Sequence, residues 1–287
     1  MTTTTLGFSP SGAPTESGVR PARPPKAVRA VLDGWTMTKR YLAHVVRAPE
    51  ELGLYFSLPI MFVLVFGYVF GSGMAVPGGG GYREFLLPGV FAMTMLYGMG
   101  ATATAIAYDV DRGVVDRFRS MPIARSALLT GRSAADLVRA MLEMTALVVT
   151  GLLVGWQWHR GIGNALIAVA LILLLRVAMT WIGIYVGVLV RNPDMVAVIV
   201  FPLAFPLTAV SNIFVAPELL PTWLGTIADW NPLSATVAAA RELWGNPGLG
   251  GDSFVAQNPV LMAVVWPVVL TAIFAPLAIR RYQRLSR

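Results

Sequence analysis

The chain has 287 residues, of which 56% are hydrophobic and only 13% are charged. A typical soluble domain is about 45–50% apolar and about 25% charged, and it could not cover so much apolar surface with so few charges. Composition therefore excludes a soluble globular domain and a largely disordered chain. The class that remains is an all-α membrane protein with several spans.

The formal net charge is +7, which would suggest a nucleic-acid partner in a soluble protein. In a membrane protein, basic residues above all set orientation, so no nucleic-acid partner is expected. The sequence has no cysteine and only two histidines, His44 and His159. Disulfides, thiol nucleophiles and a histidine metal cluster are thereby excluded, and no metal site is expected.

The N-terminal segment divides into two parts. Residues 1–25 are rich in Thr, Ser, Gly and Pro, which predicts a disordered tail. Residues 26–52 carry apolar residues mostly three or four positions apart, with basic residues near the end. This pattern predicts an amphipathic helix in the membrane interface, with a solvated helix as the alternative.

Six later segments are long and apolar enough to cross the hydrocarbon layer, which takes about 20 residues. Pro202 and Pro206 interrupt the fifth, and the fourth is long enough to be tilted or to protrude. The predicted spans cover residues 53–73, 85–107, 137–157, 163–190, 195–216 and 259–279.

Basic residues are distributed very unequally between the two sides of these spans. Eighteen of the 22 lysines and arginines fall in the two termini, the loop after the second span and Arg191, whereas only Arg83, Arg160 and Arg241 fall on the other side. Cytoplasmic loops carry the excess of basic residues. Both termini and the second loop are therefore predicted to be cytoplasmic, in a cell (inner) membrane.

The outer stretch 217–258 contains the signals of a short helix. Asn231-Pro232 is a favourable start and Gly245 a favourable end. A helix lying on the outer surface or entering the membrane from outside is predicted, and an ordinary extracellular loop is the alternative. The expected apolar stripe is Leu233, Val237, Ala240 and Trp244, and the expected interface anchors are Trp223, Trp230 and Trp244.

Two charges, Glu143 and Arg176, fall inside predicted spans. Charges at membrane depth normally face a partner, so we expect this pair to hold the third and fourth helices together. A local pair of Arg139 with Glu143 is one alternative, and a proton or substrate site is another.

Aromatic residues accumulate on two spans that also contain prolines, which permit kinks. Such a combination is suited to line a path for an apolar cargo, although contact with lipid or with neighbouring helices is an equally good interpretation. The candidates are Phe56, Pro59, Phe62 and Phe66 in the first span and Phe201, Phe205 and Phe214 in the fifth.

Nucleotide chemistry is not expected in this chain. The sequence contains no Gly-x-x-x-x-Gly-Lys-[Ser/Thr] motif, and neither of its two lysines, Lys26 and Lys39, follows a glycine. A phosphate-binding loop of that type is therefore absent. The chain is predicted to be no enzyme and to hold no cofactor of its own.

The loop at residues 108–136 mixes charges of both signs with Val115, Phe118 and Met121. A fully solvated loop has no use for these apolar residues. An amphipathic segment of this kind either docks into a groove of a cytoplasmic partner or packs on its own bundle.

Four stretches in this order carry a family resemblance: Arg47-Ala48-Pro49 before the first span, Asp111 to Arg119 with Met121-Pro122-Ile123, Pro206 to Val215, and Asn231-Pro232. The set resembles the type-2 ABC exporter permeases, close to the daunorubicin-resistance branch. Val114, Asp116 and Asn212 depart from the usual Thr, Glu and Gly of that pattern.

The resemblance implies a six-span permease domain at 53–287, paired with a second permease chain, identical or homologous, and with two copies of a separate ATPase subunit that holds ATP and magnesium. It implies outward movement of an amphipathic or lipidic cargo along the first and fifth spans. The alternative is a stand-alone ion-coupled carrier. By position, the candidate residues for coupling to the ATPase are Asp111, Gly113, Asp116, Arg117, Phe118, Arg119, Met121 and Pro122.

Overall fold

The computed structural model describes residues 49–69, 79, 81–113, 127–190, 192–248, 250–251 and 253–285. The predicted tail and residues 26–48 of the predicted interfacial helix lie outside this part, whereas residues 49–52 begin the first helix. All regular structure in the described ranges is helical. The helices are α1 (Pro49–Val69), α2 (Tyr82–Asp111), α3 (Ala127–Leu153), α4 (Gly161–Leu189), α5 (Val196–Ala209), α6 (Thr222–Asp229), α7 (Pro232–Trp244), α8 (Phe254–Gln257) and α9 (Pro259–Leu285).

Each predicted span corresponds to one helix, namely α1 to α5 and α9. Within the described residues, α2, α4 and α9 are long and apolar enough to cross a membrane. Helix α3 has 27 residues but carries four charges, and α5 has only 14 residues with two internal prolines. By length and composition, three of the six predicted spans are thus supported.

The backbones of α2 and α4 pack closely and run in the same direction. A Cβ on Gly183 would lie 2.5 Å from the Met99 carbonyl oxygen, and a Cβ on Gly187 would lie 2.5 Å from that of Ala103. The advance of four residues on both helices gives the parallel orientation. Only glycine permits this approach, and it places the two helices at the centre of the core.

Helices α1, α3 and α5 run opposite to α2. Arg83, at the start of α2, donates a hydrogen bond of 3.1 Å to the carbonyl of Val154, just after α3. Its guanidinium also lies over the ring of Tyr68, at the end of α1. Ile213, which follows α5, packs on Gly89, while Val200 near the start of α5 faces Gly100.

Helix α9 runs parallel to α4, since its residue Ala263 clusters with Leu171 and its residue Tyr282 with Val188. The six long helices therefore alternate in direction along the chain. We call the two ends of the bundle the Tyr82 end, where α2, α4 and α9 begin, and the Asp111 end, where they finish.

Helix α7 has the predicted bounds. The Asn231 side chain accepts a hydrogen bond of 2.9 Å from the Leu233 amide, and Gly245 ends the helix in the left-handed conformation at φ 72°. The four residues of the predicted stripe are buried within the protein core. The expectation that Trp244 anchors the helix in the membrane interface is wrong, because this side chain is only 1% exposed and packs against Trp156.

Candidate functional site

A buried charge cluster joins three helices. A carboxylate oxygen of Asp136 on α3 lies 4.0 Å from Nη2 of Arg176 on α4, and it accepts a hydrogen bond from the hydroxyl of Thr102 on α2. Arg176 Nη1 also donates to the Met95 carbonyl, 3.3 Å away. These three side chains belong to residues that are at most 5% exposed. Charges inside a membrane are costly unless paired, and here each meets a partner.

The guanidinium of Arg176 occupies space that is open because Gly98 has no side chain. A Cβ on Gly98 would lie 0.9 Å from Nη1 of Arg176, so any larger residue there would displace the guanidinium. Arg132 Nε approaches the other oxygen of Asp136 at 3.8 Å, one helical turn away. Asp136 thus lies between two guanidinium groups.

The carboxylate beside Arg176 differs from the prediction. The two helices are the expected ones, but the structure places Asp136, not Glu143, against the guanidinium. Glu143 is buried seven residues further along α3, on the same face. Sequence reasoning missed Asp136 because it assigned this residue to the loop, whereas α3 begins ten residues before the predicted span.

The predicted path residues form two separate groups. At the Tyr82 end, Phe66 of α1 stacks on Phe62, and its ring centroid lies 5.5 Å from that of Phe214 beyond α5. On α5, Phe201 and Phe205 stack on each other and are exposed. Pro59 is partly buried within α1, and Phe56 lies one turn before it on the same helix. The structure therefore brings the first and fifth predicted spans together through Phe66 and Phe214.

Only the beginning of the predicted coupling segment is described. Asp111 ends α2 and is exposed, and Gly113 follows with φ at 64°. This left-handed turn directs the chain out of the helix. Asp116, Arg117, Phe118, Arg119, Met121 and Pro122 lie outside the described residues, between the end of α2 and the start of α3.

Arg241 of α7 is a second buried cation. Near the Tyr82 end, it connects α7 to the start of α2 and to the segment after α5. Its Nε donates to the Phe85 carbonyl at 2.9 Å, and its two terminal nitrogens donate to the carbonyls of Asn212 and Ile213. The guanidinium also lies 3.8 Å from the centroid of the Phe85 ring. Burial lowers the pKa of Arg241 to about 9, which leaves the group protonated at neutral pH. Sequence reasoning counted Arg241 only as an outer basic residue.

The sequence over residues 33–243 matches the ABC-2 type transporter family. This match covers the charge cluster, the path candidates, the whole loop between α2 and α3, and nearly all of α7. The chain belongs to the ABC-2 type transporter family. It is accordingly an integral membrane permease subunit of the ABC transporter class, and not a catalytic enzyme.

Two relatives of this ABC-2 type chain are permeases named for drug resistance. The daunorubicin resistance ABC transporter permease protein DrrB1 of Streptomyces coeruleorubidus is 32% identical over 93% of this chain and 90% of its own length. The doxorubicin resistance ABC transporter permease protein DrrB of Mycobacterium tuberculosis is 26% identical over 84% of this chain and 83% of its own length. The 267 residues that align with DrrB1 are more than the 211 that the family match covers.

Within the described ranges of this ABC-2 type chain, no group of three or more histidine, aspartate or glutamate side chains comes together as metal ligands. What the structure does show is a set of contacts that hold the helices together. Buried polar groups and glycine contacts tie helices to one another, and the chain between α2 and α3 emerges at the Asp111 end.

Proposed function

We propose that this chain is the transmembrane subunit of an ATP-driven exporter that moves an amphipathic or lipidic cargo, such as a drug, polyketide, lipid or glycan intermediate, outward across the cell membrane. The observation that carries the proposal is the 32% identity over 93% of the chain to a daunorubicin resistance permease. ATP would be bound and hydrolysed on a separate subunit, with magnesium.

The proposed topology has six spans with both termini in the cytoplasm. Its support is the alternating direction of the six long helices, which is the arrangement that six successive crossings require. The Asp111 end is assigned to the cytoplasm because the arginines of the second loop and of the C-terminal segment belong to it. The outer helices then lie at the Tyr82 end.

The proposed complex contains two permease chains, identical or homologous, and two ATPase subunits. The end of α2 and the loop that follows it dock on the ATPase with the eight coupling residues named above. The end of α2 and the start of α3 lie on the same side of the bundle. This arrangement suits a segment that receives motion from a partner on the cytoplasmic side. ATP binding closes the ATPase pair and biases the membrane helices between two states.

The proposed translocation path runs along α1 and α5. Its support is the contact between Phe66 and Phe214 together with the exposed Phe201 and Phe205, since exposed aromatic rings give an apolar surface without fixed polar contacts. The alternative, a carrier driven by protons or ions without an ATPase, is favoured by one feature, the buried carboxylates of Asp136 and Glu143.

The test of the proposed function is purification of the tagged chain from its native membranes, with the chains in the complex identified and counted. We expect a soluble ATPase to co-purify, and inverted vesicles to accumulate daunorubicin only with hydrolysable ATP. Accumulation that needs a proton gradient and no ATPase would establish the carrier instead.

The topology makes a separate prediction. Because the chain has no cysteine, a single cysteine is its sole thiol. In intact cells, Phe254→Cys at the Tyr82 end is expected to react with a membrane-impermeant maleimide, and Asp194→Cys at the Asp111 end only after the cells are opened. Both native side chains are exposed. The reverse labelling pattern would show that the orientation is wrong.

A further inference from the structure

We propose that Asp136 is a positioning residue for energy coupling. It holds α3, the helix that leaves the loop 112–126, to α2, the helix that enters that loop, and to α4. Motion of the loop then moves the three helices as one unit. The inference rests on the proposed function, because it names the contacts through which a movement of the loop, driven by the ATPase, is passed to the membrane-spanning helices.

The three helices are held to one another in different ways. Helices α2 and α4 are in backbone contact along the glycines of α4. Helix α3 instead leaves much of its surface uncovered, with Met141, Leu142, Val149 and Leu153 all exposed. Its attachment to the pair therefore depends more on particular side-chain contacts, and Asp136 makes one to each partner helix.

Thr102 and Asp136 occupy matching positions on the two helices that flank the loop. Thr102 lies nine residues before the end of α2, and Asp136 lies nine residues after the start of α3. At about 1.5 Å per residue, both are about 13 Å from the loop. The hydrogen bond between them thus joins α2 and α3 at the same distance from the loop. It makes the two helices a rigid support for the loop.

The contacts of Asp136 are strong because its side chain is both charged and buried. A hydrogen bond to a charged group is stronger than one between neutral groups, and a low local dielectric strengthens it further. Gly98 leaves room for Arg176, and Arg132 approaches the opposite oxygen of Asp136. The side chains of Thr102, Arg176 and Arg132, from three helices, thus converge on the carboxylate of Asp136. A loop displacement is transmitted more readily through such a fixed junction than through sliding apolar surfaces.

The experiment uses the complete complex with its ATPase and a reporter cysteine at Leu153, the exposed last residue of α3. The rate of maleimide labelling of this chain is measured with and without ATP. With Asp136 present, we expect ATP to change the rate by at least about threefold. In the Asp136→Asn variant, which keeps the size of the side chain and removes its charge, the change is expected to fall below about 1.5-fold. Asp194→Asn, the same substitution at an exposed position of the Asp111 end, is the matched control and should keep the full response.

Labelling is compared at equal amounts of assembled complex, so a merely structural role for Asp136 lowers yield without changing the ATP response. An unchanged ATP response in Asp136→Asn overturns the proposal. If that variant does not accumulate, Thr102→Val decides, since it removes the hydrogen bond and leaves both charges: a reduced response supports the proposal and a full response contradicts it. A complex that lacks any ATP response with Asp136 in place contradicts the proposed function itself.

Discussion

Asp116→Lys and Arg117→Glu chains are expected to enter the membrane in normal amounts and to lose ATPase binding or daunorubicin export by at least about 30-fold. Truncating one member of a buried charge pair at a protein interface costs about 2 kcal/mol or more, which corresponds to that factor. Charge reversal adds repulsion to the loss. Insertion should be unaffected because both residues lie between the end of α2 and the start of α3 in the sequence, outside all six predicted spans.

The measurement is co-purification of the ATPase with the tagged chain, followed by export into inverted vesicles. Asp194→Lys and Arg160→Glu are suitable controls, because they reverse single exposed charges at the Asp111 and Tyr82 ends respectively. Both controls should retain complex and export. A normal complex with normal export in both loop variants would show that the coupling assignment is wrong.

The outer helix α7 shows what local sequence rules predict well. An asparagine that caps the first free amide and a glycine in the left-handed conformation define its bounds, and both depend only on residues within a few positions. The same rules say nothing about what covers the helix. Trp244 is buried because α4 and the segment around Trp156 pack over it, and this contact joins residues far apart in sequence.

Asp136 shows where hydropathy alone fails. Three of the four charges of α3 lie in its first half and lower the mean hydropathy there, so the predicted span starts at 137 although the helix begins at Ala127. A signal was present, since Asp136 and Glu143 are seven residues apart and therefore share a helix face. The choice between them for Arg176 depends on the axial offset of α3 against α4, which packing sets and the sequence pattern does not.

The burial of Arg241 can also be predicted in part from the sequence. It follows Val237 by four residues and precedes Trp244 by three, so it belongs to the apolar face of α7. An arginine on such a face signals a buried cation with specific acceptors. The acceptors themselves are carbonyls of the chain around Phe85 and of the irregular segment after α5, which only the folded structure brings together.

Arg241→Met should destabilise the chain by at least about 3 kcal/mol. The guanidinium donates to the carbonyls of Phe85, Asn212 and Ile213, and each buried acceptor left without a donor costs about 1–3 kcal/mol. Methionine has a similar length and fills much of the same space, so lost hydrogen bonds and not a cavity dominate the effect. Arg241→Lys keeps the charge but offers a single nitrogen, which cannot reach all three carbonyls in the same geometry, and an intermediate loss is expected.

The measurement is the temperature at which half of the detergent-solubilised chain aggregates, and it should fall in the order native, Arg241→Lys, Arg241→Met. Arg160→Met is the matched control, because it makes the same substitution at an exposed residue of the same end. If Arg241→Met aggregates at the temperature of that control, the guanidinium does not hold α7 to the segment after α5. The buried arginine would then have to be retained for a role other than stability.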